Sequence, residues 1–338
     1  MVKSDINVAQ HVSHVPRHKC RECLDMMSNN PKIVALAGGV GGAKLVHGLA
    51  QILPPKNLTV IVNTGDDFEH YGLYICPDLD TVCYTLAGLA NPDTGWGRVD
   101  ESWQAIENAK RLGGPTWFNL GDRDLGTHLE RTRRLREGQA LSQITRDFCK
   151  AWGVEQTVLP MSDQAVRTIV ETDEGELDFQ EYFVHRKCEP KVKGFRFEGL
   201  DKAEAAPRAL EAIKSANAVV ICPSNPWVSI DPILKVLNLR SIVDRPRSII
   251  AVSPIIGGET VKGPAAKMYA ELGIQPSALA VLEHYQGLLS GFVMDQVDTE
   301  LAKSVDIPTL TTDTLMNLLT KRAQLARDVL NFSGRLNK

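Results

Sequence analysis

The apolar residues of this chain fall into short, nearly unbroken blocks. Ile33–Ala37, Leu58–Val62, residues 218–222 and Ser248–Val252 are each five residues long, with almost no polar position inside them. A strand with one wet face alternates polar and apolar residues. Unbroken blocks of strand length instead read as strands covered on both faces, as in a parallel sheet between two helical layers. Between the first two blocks, Leu45, Leu49 and Ile52 recur at helical spacing until Pro54 and Pro55 stop the pattern. Strand, glycine-rich loop, helix and strand in that order make a βαβ unit with a right-handed crossover. The predicted class is α/β, a Rossmann-like three-layer fold with a mainly parallel sheet.

Residues 115–200 break this rhythm. Helices are predicted at 129–136 and 141–152, and strands at 167–170 and 178–184 that pair across Asp173-Glu174-Gly175. This stretch reads as an inserted α+β lobe covering one edge of the sheet. Further helices are predicted at 81–89 and, with amphipathic spacing, at 313–331. Residues 1–31 show no periodicity and read as a flexible leader, which leaves 32–338 as a single domain. The leader holds His14, His18, Cys20 and Cys23. A zinc knuckle needs four ligands at defined spacing, and the plainer reading is incidental residues in a leader.

Composition narrows the function. Of 338 residues 43% are hydrophobic and 23% charged, ordinary for a globular enzyme. A formal net charge of −3 supplies no global basic field, so nucleic acid is not an expected partner. No apolar run approaches the roughly 20 residues of a membrane helix. The N-terminal segment lacks a secretory h-region, and the seven scattered cysteines suit reduced thiols, so a cytoplasmic location is expected. Enzymes of this size are often symmetric dimers, and a homodimer is compatible with the sequence.

Three clusters carry candidate chemistry. Gly38-Gly39-Val40-Gly41-Gly42-Ala43-Lys44 stands where a strand meets a helix, so backbone N–H groups and the helix dipole can hold an anion while Lys44 adds charge. It matches neither the Walker loop nor the dinucleotide fingerprint, and Leu45 offers no hydroxyl to a metal. Any metal must then be held by carboxylates. Asp66 and Asp67 follow the second strand directly, and Asp78 and Asp80 follow at a helix start, where capping is the alternative role. The third cluster is Gly121-Asp122-Arg123-Asp124 with His128. Arg123 suits bidentate phosphate contact, and His128 suits proton transfer or phosphate binding, against an Asp–Arg pair on a capped helix. Ser224, Asn225 and Ser253 close two later strands with donors for a base, a ribose or a carboxylate. Arg131, Arg133, Arg134 and Arg136 read as a solvated face.

In order, Ala37 to Lys44, Asn63 to Asp67, Cys76 to Thr81, Leu120 to Asp124, Pro223 to Pro226 and Ser253 to Gly257 resemble the blocks of the 2-phospho-L-lactate transferase family, whose bacterial branch is called phosphoenolpyruvate transferase. The resemblance runs from about Lys32 to the C-terminus. It implies a guanosine diphospho-acid donor, magnesium (Mg2+), and the deazaflavin Fo as acceptor, with GMP released on the way to coenzyme F-420. It implies Gly38, Gly39, Gly41, Gly42, Lys44, Ser224 and Asn225 as the nucleotide site. Asp66, Asp67 and Arg123 would serve catalysis, Asp66, Asp67 and Asp80 the metal, and Asp80 and Asn119 the Fo site. Asn119 stands where archaeal relatives are expected to carry a basic residue, and the general base stays open among Asp66, Asp67 and Asp80. The acid stays open among phospholactate, phosphoenolpyruvate and phosphoglycerate.

The same residues admit two other readings. A nicotinamide-dependent oxidoreductase would explain the glycine turn but not its missing third glycine or the Asp66-Asp67 pair. A regulator that binds a nucleotide sugar on the same fold would need no acceptor pocket.

Overall fold

Every apolar block forms a strand. The computed structural model describes residues 31–242 and 248–337. The leader readings at His14, His18, Cys20 and Cys23 lie outside the described residues. β1 (Ile33–Ala37) leads through α1 (Gly39–Ile52) to β2 (Leu58–Val62). A hairpin of β3 (Phe68–His70) and β4 (Leu73–Ile75) follows. Helices α2 (Pro77–Leu86), α3 (Gln104–Arg111), α4 (Asp122–Arg136) and α5 (Leu141–Ala151) then carry the chain to β5 (Thr157–Pro160). Strands β6 (Arg167–Thr172), β7 (Gly175–Asp178) and β8 (Val192–Glu198) form an antiparallel sheet of their own. The second half runs α6 (Ala209–Ser215), β9 (Ala218–Ile221), α7 (Asp231–Val236), β10 (Ser248–Val252) and a small hairpin of β11 (Ile255–Ile256) and β12 (Glu259–Thr260). It ends with α8 (Ala265–Glu271), α9 (Ala278–His284), β13 (Gly291–Asp295), β14 (Thr309–Thr312) and α10 (Leu319–Leu336).

Seven strands make the central sheet in the order β14-β13-β10-β9-β1-β2-β5, and every neighbouring pair is parallel. Side chains alternate across it, as strand geometry demands. Ile33, Ala35 and Ala37 face a cluster built with Leu45 and Leu49 of α1, Val82 of α2 and Leu325 and Val329 of α10. Val34 and Leu36 face a second cluster with Ile213 of α6, Ile233 of α7 and Val281 of α9. Each such aliphatic side chain contributes about 1.5–3 kcal/mol when fully buried, which is why the blocks lack polar residues. The fold is Rossmann-like and three-layered.

The strand order reverses between β1 and β9. From β1 the chain proceeds outward through β2 to β5, and from β9 outward through β10, β13 and β14. In open parallel sheets the crevice at such a switch point, beyond the carboxyl ends of the strands, is where ligands bind. Here it lies between the glycine loop after β1 and Pro223-Ser224-Asn225 after β9. No described helix is long and apolar enough to cross a membrane.

Several predicted boundaries change. Residues 157–160, inside the segment expected as an insertion, pair with β2 as the edge strand of the central sheet, so 115–200 is not one separate lobe. Residues 178–184 are not a strand: β7 stops at Asp178, and Glu181–His185 forms a wide helical turn. Phe179, Gln180 and Tyr182 are buried together and Phe179 stacks on Phe183 at 5.4 Å, contacts that a helical turn makes and strand alternation does not. The last helix begins at Leu319 rather than 313, because Asp295 accepts hydrogen bonds from both the N–H and hydroxyl of Thr314 at 2.8 Å and holds that segment out of a helix. α2 runs from Pro77 and α4 from Asp122, each earlier than predicted.

Candidate active site

A cavity of about 790 Å³ opens at the switch point. Its floor is the start of α1. Gly39 adopts a φ of +61°, which a side chain would resist. A Cβ on Gly41 would collide with the carbonyl oxygen of Pro223, so this glycine lets the two switch-point loops touch. Ser224 clamps the same junction: its hydroxyl donates to the Gly38 carbonyl at 2.7 Å and accepts from the Gly38 N–H at 3.1 Å. Ser224 and Asn225 both line the cavity. Asn225 also accepts from the Trp227 N–H at 3.1 Å, so its side chain shapes the turn after β9. Lys44 lines the cavity, and burial, then Arg322 and Lys262, lower its pKa from the usual lysine value. An anion there would relieve that repulsion. Lys262, from the segment after β12, also lines the cavity and carries no mark of it in the sequence.

The four acids after β2 separate into distinct roles. Asp66 and Asp78 line the cavity, and each accepts a hydrogen bond at 3.0 Å from the same Asn63 Nδ2. Asp78 also accepts from the Gly39 N–H at 2.7 Å, which ties the acids to the glycine loop. Burial, and then its neighbour Asp78, push the Asp66 pKa well up; burial raises that of Asp78. Two oxygen ligands crowded around one amide, short of positive charge, suit a hard divalent cation. Asp67 does not line the cavity, and neither of its carboxylate oxygens has a hydrogen-bond partner. Asp80 does line it, but Arg131 grips both its oxygens, one limb at 3.0 Å. Ligating atoms of Asp80, Asp124 and His128 lie within 4.8 Å of one another, yet that guanidinium already supplies the positive charge a metal would bring.

Arg131 corrects the reading of a solvated arginine face. It is 2% exposed, and although burial alone would lower its pKa, the Asp80 carboxylate raises it well above the ordinary value. Helical spacing was the available signal, since Thr127, His128 and Arg131 share the buried face of α4. Arg123 is also corrected. Its side chain is 52% exposed, it does not line the cavity, and its NH1 lies 3.8 Å from Asp100. The Gly121–Asp124 cluster is instead a reciprocal cap. Asp122 accepts from the N–H groups of Gln104 and Ala105 at the start of α3, both at 3.0 Å. Glu101 accepts from those of Arg123 and Asp124 at the start of α4, both at 2.8 Å.

Aromatic residues form another wall. Trp117, Phe118, Phe179 and Phe183 line the cavity together with Asn119. Trp117 is held by His185, stacked at 5.1 Å, and Phe118 packs edge-on to Phe68 at 4.8 Å. Such a wall suits a planar ring system.

Comparison with known proteins agrees with the sequence resemblance. A family model described as 2-phospho-L-lactate transferase CofD matches residues 33–322. The chain is 45% identical over 283 residues to the phosphoenolpyruvate transferase of Streptomyces griseus subsp. griseus, covering 81% of this chain and 89% of that protein. It is 40% identical over 306 residues to the 2-phospho-L-lactate transferase of Methanopyrus kandleri, covering 89% and 97%. Among solved structures, a UPF0052 family member from Bacillus halodurans aligns with a TM-score of 0.58 at 17% identity, covering 88% of this chain and 98% of the other, and so supports the fold alone.

Proposed function

The chain belongs to the 2-phospho-L-lactate transferase CofD family, and we propose that it moves 2-phospho-L-lactate or phosphoenolpyruvate from a guanosine diphosphate-activated donor to the ribityl hydroxyl of Fo. GMP is released, and coenzyme F-420-0 or its dehydro form is made. The observation that carries this reading is one continuous cavity that joins an anion-holding floor at Gly38 to Lys44 with a wall of Trp117, Phe118, Phe179 and Phe183. A nucleotide-sugar sensor has no use for the second half of that cavity. A nicotinamide enzyme has no use for Asp66 and Asp78.

The terminal hydroxyl oxygen of the acceptor attacks the phosphorus that bears the acid. The new O–P bond forms as the bridging P–O bond breaks, GMP leaves with the bonding pair, and the hydroxyl proton passes to solvent water. Positioning and charge neutralisation do most of the work in such a displacement. The α1 amides and Lys44 hold the donor diphosphate, and the aromatic wall aligns the acceptor ring. Asp66 and Asp78, rather than Asp67 and Asp80, would hold magnesium, which would neutralise charge on the phosphoryl oxygens.

The test is incubation of the purified chain with Fo, magnesium and each guanosine diphospho-acid, followed by mass spectrometry. A product heavier than Fo by the phospho-acid, with equimolar GMP, is expected for at least one acid, and competition between donors ranks them. Absence of product with every donor, in a sample that binds GDP, overturns the proposal.

A further inference from the structure

One carboxylate in the cavity has no part in the reaction described above. Asp124, in the first turn of α4, lines the cavity among the residues of α2 and α4. Its Oδ1 accepts a hydrogen bond from the Tyr84 hydroxyl at 2.6 Å, whereas its Oδ2 has no partner among the described residues. Tyr84 is itself fixed, with the Thr127 hydroxyl 2.8 Å from the same phenolic oxygen.

One turn further along α4 is His128, which is 1% exposed and also borders the cavity. A guanidinium can only donate, so the 3.2 Å contact from Arg131 NH1 makes His128 Nδ1 the acceptor. The neutral ring then carries its proton on Nε2, which lies 3.4 Å from Asp124 Oδ1, close to it but outside hydrogen-bond geometry, and makes no hydrogen bond among the described residues. Asp80 fixes Arg131 in turn, so the order of control runs from Asp80 through Arg131 and His128 to Asp124. Burial alone would push the Asp124 pKa up, but the contacts of His128 and Tyr84 outweigh it and hold the carboxyl below its usual value. The result is an ionised carboxylate, anchored on one oxygen and bare on the other, at the cavity wall. Trp117 and Phe118, which precede α4 in the chain, line the same cavity as Asp124, so a planar acceptor packed on them shares the cavity with that carboxylate.

Resting on transfer to a deazaflavin, we propose that Asp124 is an acceptor-binding residue. Its Oδ2 accepts a hydrogen bond from an O–H or N–H of the deazaflavin, and His128 and Tyr84 are its positioning residues. Charge-assisted bonds of this kind are the strong ones, so their loss should appear in the acceptor constant and not in the donor constant.

The experiment is steady-state kinetics with Fo varied at saturating donor, beside GDP titration and thermal unfolding. Asp124→Asn keeps the shape and removes the charge. Its KM for Fo should rise about 10-fold or more, with GDP affinity unchanged. His128→Leu should act in the same direction, and His128→Gln, whose amide can still donate towards Asp124, should restore most of the loss. Tyr84→Phe, which removes one donor without changing the charge, should raise the Fo KM by a smaller factor. It also serves if Asp124→Asn folds poorly. An unchanged Fo KM in Asp124→Asn or in Tyr84→Phe overturns the assignment, as does equal weakening of GDP and Fo. Wild-type protein that binds GDP but does not modify Fo overturns the transfer reading, and this role with it. Active wild type with a normal Asp124→Asn overturns the role alone.

Discussion

Asp67 is a buried acid, and burial pushes its pKa well up against the weaker pull of the nearby Cys76 thiol and the Arg131 charge. A carboxyl raised on folding keeps its proton to higher pH in the folded state than in the unfolded chain. Its contribution to stability is therefore complete below the unfolded pKa of about 4 and is lost as pH rises towards the folded value. Asp67→Asn should raise Tm, more at pH 8 than at pH 5, and leave turnover within a few-fold of wild type. Asp78→Asn should behave oppositely. It removes a charge from the acid pair on the cavity wall, so turnover should fall at least ~100-fold, about 2.7 kcal/mol of transition-state stabilisation. Comparable turnover losses in both variants would show that Asp67 and Asp78 share one task. Arg131 poses a different residue-level question. Arg131→Met leaves Asp80 as an uncompensated buried charge, expected to cost about 3–5 kcal/mol in denaturant unfolding, and adding Asp80→Asn should recover most of that.

At the scale of elements, α3 and α4 hold each other's starts. Neither helix supplies its own cap side chain, so Glu101 closes α4 and Asp122 closes α3 across the loop between them. Gly121 has no side chain because a Cβ there would collide with Glu101. Glu101→Ala should lower stability by about 1 kcal/mol, the usual worth of a cap, measured by urea unfolding. Because Asp124 and Arg131 ride on α4, the same variant should weaken acceptor binding more than donor binding. A change in stability with no change in the acceptor constant would mean that α4 keeps its place without this cap.

For the molecule as a whole, ligand linkage reports on both ends of the cavity without any turnover. GDP should raise Tm, since a ligand at 100 times its Kd adds about 2.7 kcal/mol to stability, and NAD should not. Magnesium should add a further increment that vanishes in Asp78→Asn. An equal magnesium effect in that variant would place the ion elsewhere. Much of this architecture was legible in the chain, because it follows from local rules. Five-residue β-branched apolar blocks between turn residues read as strands buried on both faces, glycines after such a strand open an anion-holding helix start, and loops after parallel strands gather at one crevice. Six short blocks in order were also enough to identify the family. What sequence spacing could not decide is which of several neighbouring polar residues faces the crevice. Asp66 and Asp67 are adjacent, yet only the first lines the cavity, and the difference is set by packing around β2 and α2. Asp80 was open to metal, acceptor or capping until Arg131, 51 positions later, proved to hold it. Arg123 looked suited to phosphate, but the reciprocal caps of α3 and α4 leave it half in solvent. Strand periodicity is a property of consecutive residues. The neutralisation of a buried charge depends on whichever side chain folding brings within a few ångströms, and only the tertiary structure names that partner.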